Sequence, residues 1–475
     1  MIKKGVNWMN EQTTFFYRVL PLFFKQFQNI TYHGVPICQY TYRLFMSFWS
    51  SSRIHELLPF IQNKTSDLSS SEIYHKLDGP YPCKPNPNGI ILMRGGFGNL
   101  ASLYLPKERF IMMSPNQAEV DLIKLNQPDL SAHNIQNYYQ ENPGAVKSLN
   151  QQVAQVLAQL KDDPILGTPD LAGWFQIKIP EFVRTLDAVW KVFQEFNIGA
   201  VLTISSTYSM DGALNLMAKA KGIPSFTAQH GLIAEHDLFA HVPVLATKKM
   251  VWGRANLEWY RKFGYPESRV SIIGSPRFDS IFNQKWCGKE KLHQILGINQ
   301  NQKIIVFGAQ IIRFTQVIAP IILEGLKSIP DLFLLMMLHP GEKPQPYLKL
   351  TEGYPHCKVV QFGHISLYDA LSGADLFVTY YSTAAIEAMF FKLPVITVEP
   401  MPPTFSFGAL GASIKVKNAI ELHQVAHRLL NDETFRVKAI NLYQNFLQQY
   451  CIPDGSSSKR LFEEIESMMQ KGTEE

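Results

Sequence analysis

The chain has 475 residues, 46% of them hydrophobic and 18% charged, enough for two or three domains with cores of their own, which excludes disorder, collagen and coiled coil. Lys and Arg number 45 against 40 Asp and Glu, a net +5 spread along the whole chain, too dilute for a dedicated nucleic-acid binder but compatible with a small anionic ligand. The five cysteines (Cys38, Cys83, Cys287, Cys357, Cys451) lie far apart and form no CxxC pair, which argues against a disulfide framework or a zinc cage and points to a reducing cytoplasm.

At the start of the chain Lys3 and Lys4 precede an aromatic stretch from Phe15 to Phe27, interrupted by Arg18, Pro21 and Lys25. It matches neither the apolar run of a signal peptide nor the roughly 20 residues of a membrane span. The pattern predicts an amphipathic helix packed on its own domain; the same aromatic and basic mixture also suits peripheral contact with a membrane surface. Residues 1–64 read as mostly helical, and a Ser-rich piece (Thr65 to Glu72) and a Pro-rich one (Pro80, Pro82, Pro85, Pro87) follow as a connector. Residues 1–88 are therefore expected to form a helical N-terminal extension and linker.

From Gly89 onward, short apolar runs alternate with longer amphipathic segments, the signature of an α/β fold around parallel sheets. The first set of strands is expected at Ile90–Met93, Phe110–Met113, Ala200–Ile204, Ser225–Ala228 and Lys249–Trp252, covered by helices over Ala145–Leu160 and Pro180–Phe196. The second is expected at Val270–Ile273, Ile304–Phe307, Leu332–Leu338, Lys358–Gln361, Leu376–Thr379 and Val395–Val398. A helix over Trp252–Tyr265 would close the first unit, so two doubly wound Rossmann-like domains are expected, 89–268 and 269–475, facing each other across a cleft. Ligands of such sheets bind outside the carboxyl ends of the strands, which makes the residues just after strands the informative ones.

After Ile90–Met93 comes Arg94-Gly95-Gly96-Phe97-Gly98, where Gly95, Gly96 and Gly98 permit a tight turn facing an anion or a sugar, or simply a sharp strand-to-helix turn. Ser225–Ala228 runs into Gln229-His230-Gly231; an imidazole there can act as a general base or as a donor to phosphate. Val270–Ile273 is followed by Gly274-Ser275-Pro276-Arg277-Phe278-Asp279, whose Arg277 can grip a diphosphate bidentately or form a surface turn with Asp279. Leu332–Leu338 ends in His339-Pro340-Gly341-Glu342, a second strand-end histidine. The strongest local pattern is Leu376–Thr379, then Tyr380-Tyr381-Ser382-Thr383, then a helix carrying Glu387 among Ala384, Ala385, Ile386, Ala388 and Met389. Ser382 and Thr383 stand at the N-cap, where hydroxyls and free N–H groups suit phosphate, and a carboxylate among apolar residues suits the ribose hydroxyls of a nucleotide better than solvent.

Taken together, Gln229-His230-Gly231, Gly274 to Asp279, His339-Pro340, Ser382-Thr383 with Glu387, Pro394-Val395-Ile396 and Asp454-Gly455-Ser456-Ser457-Ser458-Lys459-Arg460 resemble bacterial surface-polysaccharide transferases of the GT-B fold. Capsular polysaccharide biosynthesis proteins, CDP-glycerol glycerophosphotransferases and, more distantly, UDP-N-acetylglucosamine 2-epimerases are the relatives this suggests, over about residues 200–465. The resemblance implies a nucleotide-activated donor held by the second domain and a glycan or lipid-linked acceptor facing the first, with no further cofactor. Ser382, Thr383, Ser275 and Arg277 would hold donor phosphates, Glu387 the ribose, His339 the diphosphate side, and His230 would assist the acceptor hydroxyl. Tyr380 stands where glycerophosphotransferases carry an acidic residue, which points from CDP-glycerol toward a nucleotide sugar, and Ser382-Thr383-Ala384 replaces the Ser-Gly-Gly of the epimerases, which weighs against an epimerase. No Asp-x-Asp triplet occurs, so a metal-independent glycosyltransferase is expected, with charge neutralised by helix termini, Arg and His; a CDP-glycerol-type glycerophosphotransferase, a UDP-sugar 2-epimerase and a non-catalytic glycan- or partner-binding GT-B scaffold are the alternatives.

Overall fold

The computed structural model describes residues 11–64, 78, 81–233, 235–339, 341–361 and 363–471. The connector expected from Thr65 to Glu72 and at Pro80, together with Lys3, Lys4 and Pro340, lies outside the described residues. The chain divides into two compact units, Met1–Ile273 together with Ser458–Glu475, and Gly274–Ser457.

The first unit opens with helix α1 (Glu11–Phe27), a two-residue hairpin of β1 (Thr31–Tyr32) and β2 (Val35–Pro36), and helices α2 (Ile37–Phe48) and α3 (Ser51–Lys64). Phe15, Phe16, Val19, Leu20, Phe23 and Phe27 recur at helical spacing and are buried. Phe23 stacks on Phe45 of α2 with ring centroids 4.1 Å apart, and Phe27 lies 4.9 Å from Phe175. The aromatic face that could have rested on a membrane is thus spent inside the first unit, where each fully buried ring is worth about 1.5–3 kcal/mol. These helices share one core with the sheet that follows rather than standing apart as an extension. Among the described residues no helix is long and apolar enough to cross a membrane.

The sheet of this unit contains β3 (Ile90–Arg94), β4 (Phe110–Ser114), β5 (Ala132–Asn134), β6 (Ile198–Thr203), β7 (Ser225–Ala228), β8 (Lys248–Val251) and β9 (Val270–Ile272), in the order β5-β4-β3-β6-β7-β8-β9. All of its pairings are parallel. Assigning Val270–Ile273 to the second sheet was wrong: Val270 pairs with Lys249, because the helix Arg254–Lys262 is a crossover that returns the chain to the free edge of β8. The covering helix expected from Pro180 starts earlier, at Pro169, with the Thr168 hydroxyl capping Leu171 N–H and Pro180 accommodated inside. The last helix, Ser457–Lys471, turns Leu461, Phe462, Ile465 and Met469 onto Ile91, Met93, Leu202, Phe226 and Met250 of this sheet.

The second unit is built on β10 (Lys303–Gly308), β11 (Leu332–Met337), β12 (Cys357–Val360), β13 (Leu376–Thr379), β14 (Val395–Val398) and β15 (Ile414–Val416), in the order β12-β11-β10-β13-β14-β15. Its pairings are parallel as well. Strand order reverses between β10 and β13 here, and between β3 and β6 in the first unit, which marks the carboxyl ends of those strands as the places for ligands. The α/β class with two doubly wound sheets agrees with the reading of the apolar runs.

Candidate active site

In the second unit, the switch point is fastened by the Thr379 hydroxyl, which donates to Gly308 O at 2.8 Å. Past Thr379 the chain turns into the helix Ala384–Phe390, and its first amides are already used. The Ser382 hydroxyl accepts from Ala384 N–H at 3.3 Å, Ser382 O from Ala385 N–H at 3.0 Å, and Thr383 O from Ile386 N–H at 2.9 Å. Free helix amides for a phosphate were expected here; the tight turn occupies those of Ala384, Ala385 and Ile386, which shifts the weight to the Ser382 and Thr383 hydroxyls and nearby side chains.

Glu387 is fully buried one turn along. Its carboxylate accepts two parallel bonds from Arg277, from Nε to Oε1 and from Nη2 to Oε2, each 2.9 Å long, and a third from the Tyr368 hydroxyl at 2.8 Å. Arg277 is carried there by Gly274, whose φ of +83° favours glycine, and by Pro276 at the start of a short 3-10 turn. Burial works against the Arg277 charge, but the carboxylate beside it prevails and raises the guanidinium pKa further. Burial, then the Glu387 charge, push the Tyr368 hydroxyl up. Arg277 remains half exposed, and among the described residues no side-chain hydrogen bond from Nη1 accompanies those from Nε and Nη2. The structure therefore brings together Arg277 and Glu387 but assigns the carboxylate to Arg277 and Tyr368, with no exposed oxygen for a ribose. The alternative turn is not formed, since Asp279 accepts from Ser457 N–H at 3.0 Å. Ser275 is buried beneath this turn, its carbonyl accepting Phe278 N–H.

His339 follows β11 as an exposed ring whose Nδ1 accepts from Gly341 N–H at 3.4 Å, which places its proton on Nε2. Behind it Glu342 takes the Tyr347 hydroxyl at 2.7 Å, which stiffens the loop. No hydrogen bond links His339 directly to Arg277, Ser382 or Thr383 among the described residues.

In the first unit, His230 stands past the end of β7 with Nδ1 2.8 Å from Ile204 O. A carbonyl oxygen can only accept, so Nδ1 carries the proton and Nε2 keeps its lone pair. Burial and then the Lys249 charge lower the pKa of the ring, keeping it neutral near pH 7. Its predecessor Gln229 locks the two strand ends, accepting Trp252 N–H on Oε1 at 3.1 Å and Trp252 Nε1–H on its carbonyl at 2.9 Å.

The glycine loop plays another part than expected. A Cβ on Gly95 would press on Ser114, Glu119 and Ile123, and one on Gly98 on Met112, whereas only Gly96 faces open space. Two of these glycines thus serve close packing. The adjacent Arg94 donates to Glu119 at 2.6 Å and lies 3.1 Å from buried Asp211, whose carboxyl is raised to about 6 by burial despite Arg94. Arg94, Lys249 and Tyr368 were not singled out from the sequence, because only the fold brings each to a strand end or a carboxylate; an Arg directly after a strand was the one local signal, at Arg94.

Residues 254–467 match the model of the family described as CDP-Glycerol:Poly(glycerophosphate) glycerophosphotransferase. No curated protein matches the chain. Among solved structures it is similar to a protein from Listeria monocytogenes described as a UDP-N-acetylglucosamine 2-epimerase, 15% identical, covering 81% of this chain and 98% of that one with a TM-score of 0.55. The UDP-GlcNAc 2-epimerase of Neisseria meningitidis bound to UDP-GlcNAc is 13% identical over 79% of this chain and 98% of that one, TM-score 0.51. A glycosyltransferase from Rickettsia africae is 11% identical over 81% and 100%, TM-score 0.50. At these identities the likeness is one of fold. The resemblance to GT-B polysaccharide transferases drawn from the short motifs is borne out in fold and, over residues 254–467, in the family match. That match spans Tyr380, the position where the resemblance led to an acidic residue being expected.

Proposed function

We propose that the protein is a transferase that moves a sugar from a nucleotide-activated donor onto a hydroxyl of a capsular or other cell-envelope polymer, or of its lipid-linked precursor, on the cytoplasmic side. The observation that carries this reading is His230, a neutral imidazole whose tautomer is set by Ile204 O, which leaves Nε2 as its basic nitrogen. That nitrogen takes the proton of the acceptor hydroxyl as the hydroxyl oxygen bonds to the donor's anomeric carbon. The bond from that carbon to the diphosphate breaks, and its electron pair leaves on the nucleotide. The remaining Arg277 N–H groups, His339 Nε2–H and the Ser382 and Thr383 hydroxyls meet the charge on the leaving diphosphate, without a metal ion. Ser275 supports the Arg277 turn, and Glu387 holds Arg277 in place.

A second reading, transfer of glycerol phosphate from CDP-glycerol, is favoured by the family match over residues 254–467. It uses the same base against phosphorus instead of carbon.

The test is incubation of the purified protein with UDP, CDP and GDP sugars and with CDP-glycerol, with and without EDTA and an acceptor extract, followed by product analysis. Acceptor-dependent release of one nucleoside diphosphate that survives EDTA supports the sugar reading, and CMP release supports the second. A free epimerised sugar without acceptor, or no nucleotide binding at all, overturns both.

A further inference from the structure

Lys249 is a buried cation that the reaction above leaves unused. It sits on β8, an inner strand, with Thr227 of β7 and Val270 of β9 as its register partners. Side-chain alternation along the strand places it on the face of Val251, opposite Lys248, whose ammonium is met by Glu464 of the last helix. Lys249 has no such partner. Its residue is 5% exposed, and no hydrogen bond or ion pair reaches its ammonium among the described residues, so burial lowers its pKa to about 7.

Among the described residues its surroundings add positive charge and hydrogen-bond donors rather than acids. The Lys249 charge bears on both His230 and His241, and Arg43 of α2 bears on His241 as well. On the neighbouring strands, the hydroxyls of Thr203 and Thr227 lie 3.0 Å apart, and Asn215 Nδ2 donates to both. The ladder pairs Thr203 with Thr227 and Thr227 with Lys249, so one buried polar stripe crosses three strands and ends at Lys249. A buried charge without a counterion is unfavourable, and a fold retains one most readily where a ligand supplies the opposite charge.

We propose that Lys249, flanked by His230 and His241, is an anion subsite of the first unit that takes a phosphoryl group borne by the acceptor. This rests on the transferase reading, because His230 is the group that would meet the acceptor hydroxyl. A tetrahedral phosphoryl group offers several oxygens to a point-charge ammonium. Its arrival also cancels the Lys249 charge that weakens His230 as a base, so an acceptor carrying phosphate prepares the base that deprotonates it.

The experiment titrates the full-length protein with glycerol 3-phosphate, inorganic phosphate and acetate at constant ionic strength set by chloride, using calorimetry and thermal melts. The same series is run on Lys249→Met, with a nucleotide titration on both proteins. The expected result is that glycerol 3-phosphate binds and raises the melting temperature of the wild type, that acetate does not, and that Lys249→Met binds at least tenfold more weakly while melting no lower in phosphate-free buffer. Binding of inorganic phosphate alone would place a free-ion site there and overturn the acceptor assignment. Equal phosphate affinity in the two proteins, or none in the wild type, overturns the subsite. Should Lys249→Met not fold, Lys249→Gln is titrated in its place under the same criterion. Nucleotide binding reports on the donor reading separately: its loss with phosphate binding intact sinks that reading, and the reverse sinks only the subsite.

Discussion

Arg277 and Glu387, 110 residues apart in the chain, meet through two parallel bonds of 2.9 Å in which the guanidinium is half exposed and the carboxylate fully buried. The asymmetry in burial sets an asymmetry in cost. Arg277→Met strands a buried carboxylate and is expected to remove about 3 kcal/mol, whereas Glu387→Gln releases an arginine that water can reach and should remove about 1 kcal/mol. Thermal and urea melts of the two variants check the order. Equal losses would mean that Tyr368 alone satisfies the carboxylate.

His230→Gln keeps a hydrogen-bond donor near Ile204 O but supplies no base. Turnover is expected to fall about 10²- to 10⁴-fold with nucleotide affinity unchanged. In the wild type, the depressed imidazole pKa puts the acid limb of the kcat profile below pH 6.5. A limb above that value would assign the profile to another group.

His241, facing Lys249, His230 and Arg43, has a pKa lowered from 6.5 to about 3, by burial first and those charges second. Between these values the unfolded chain binds the proton and the folded one does not, so stability rises with pH across that window and is lost as pH falls from 6.5 toward 3. Melting temperature against pH should therefore be flatter below pH 6.5 for His241→Asn than for the wild type; parallel curves would contradict the assignment.

Phe462 lies on the last helix, yet its ring is buried in the core of the first sheet. Phe462→Ala should cost about 3–5 kcal/mol, read by hydrogen exchange as loss of protection in β3 and β6. Protection lost only within Ser457–Lys471 would show the helix to be a dispensable cover.

Gly98→Ala drives a methyl group into Met112 under β4. A loss of about 1–3 kcal/mol is expected, measured by thermal melts, while Gly96→Ala, facing open space, should be close to neutral.

The alternation of apolar runs located the strands because a parallel sheet covered on both faces demands uninterrupted hydrophobic segments. Ile90, Ile304, Leu332, Leu376 and Val395 all lie in strands where the pattern put them. Short edge strands such as Ala132–Asn134 and Ile414–Val416 carried too few apolar residues to stand out. Val270 was legible as a strand but not as a neighbour of Lys249, since sheet membership depends on which edge a crossover reaches.

Within the site, the order of motifs along the chain pointed to Arg277, Glu387, His230 and His339, because turn-forming Gly and Pro beside a polar residue at a strand end leave a local trace. Roles did not follow from position alone. A carboxylate among alanines could serve a ribose or an arginine, and only the packing of Gly274 to Phe278 against the helix Ala384–Phe390 gave it to Arg277. Lys249 reads as one polar residue in a strand; that it is buried without a counterion among the described residues depends on what β7, β9 and the N-terminal helices bring around it. Periodicity and turn chemistry are local properties, so the sequence by itself determined the α/β class, the strands and the candidate side chains. Charge pairing and burial are sums over residues distant in the chain, so only the tertiary structure decided which of those side chains are buried and which pair with one another.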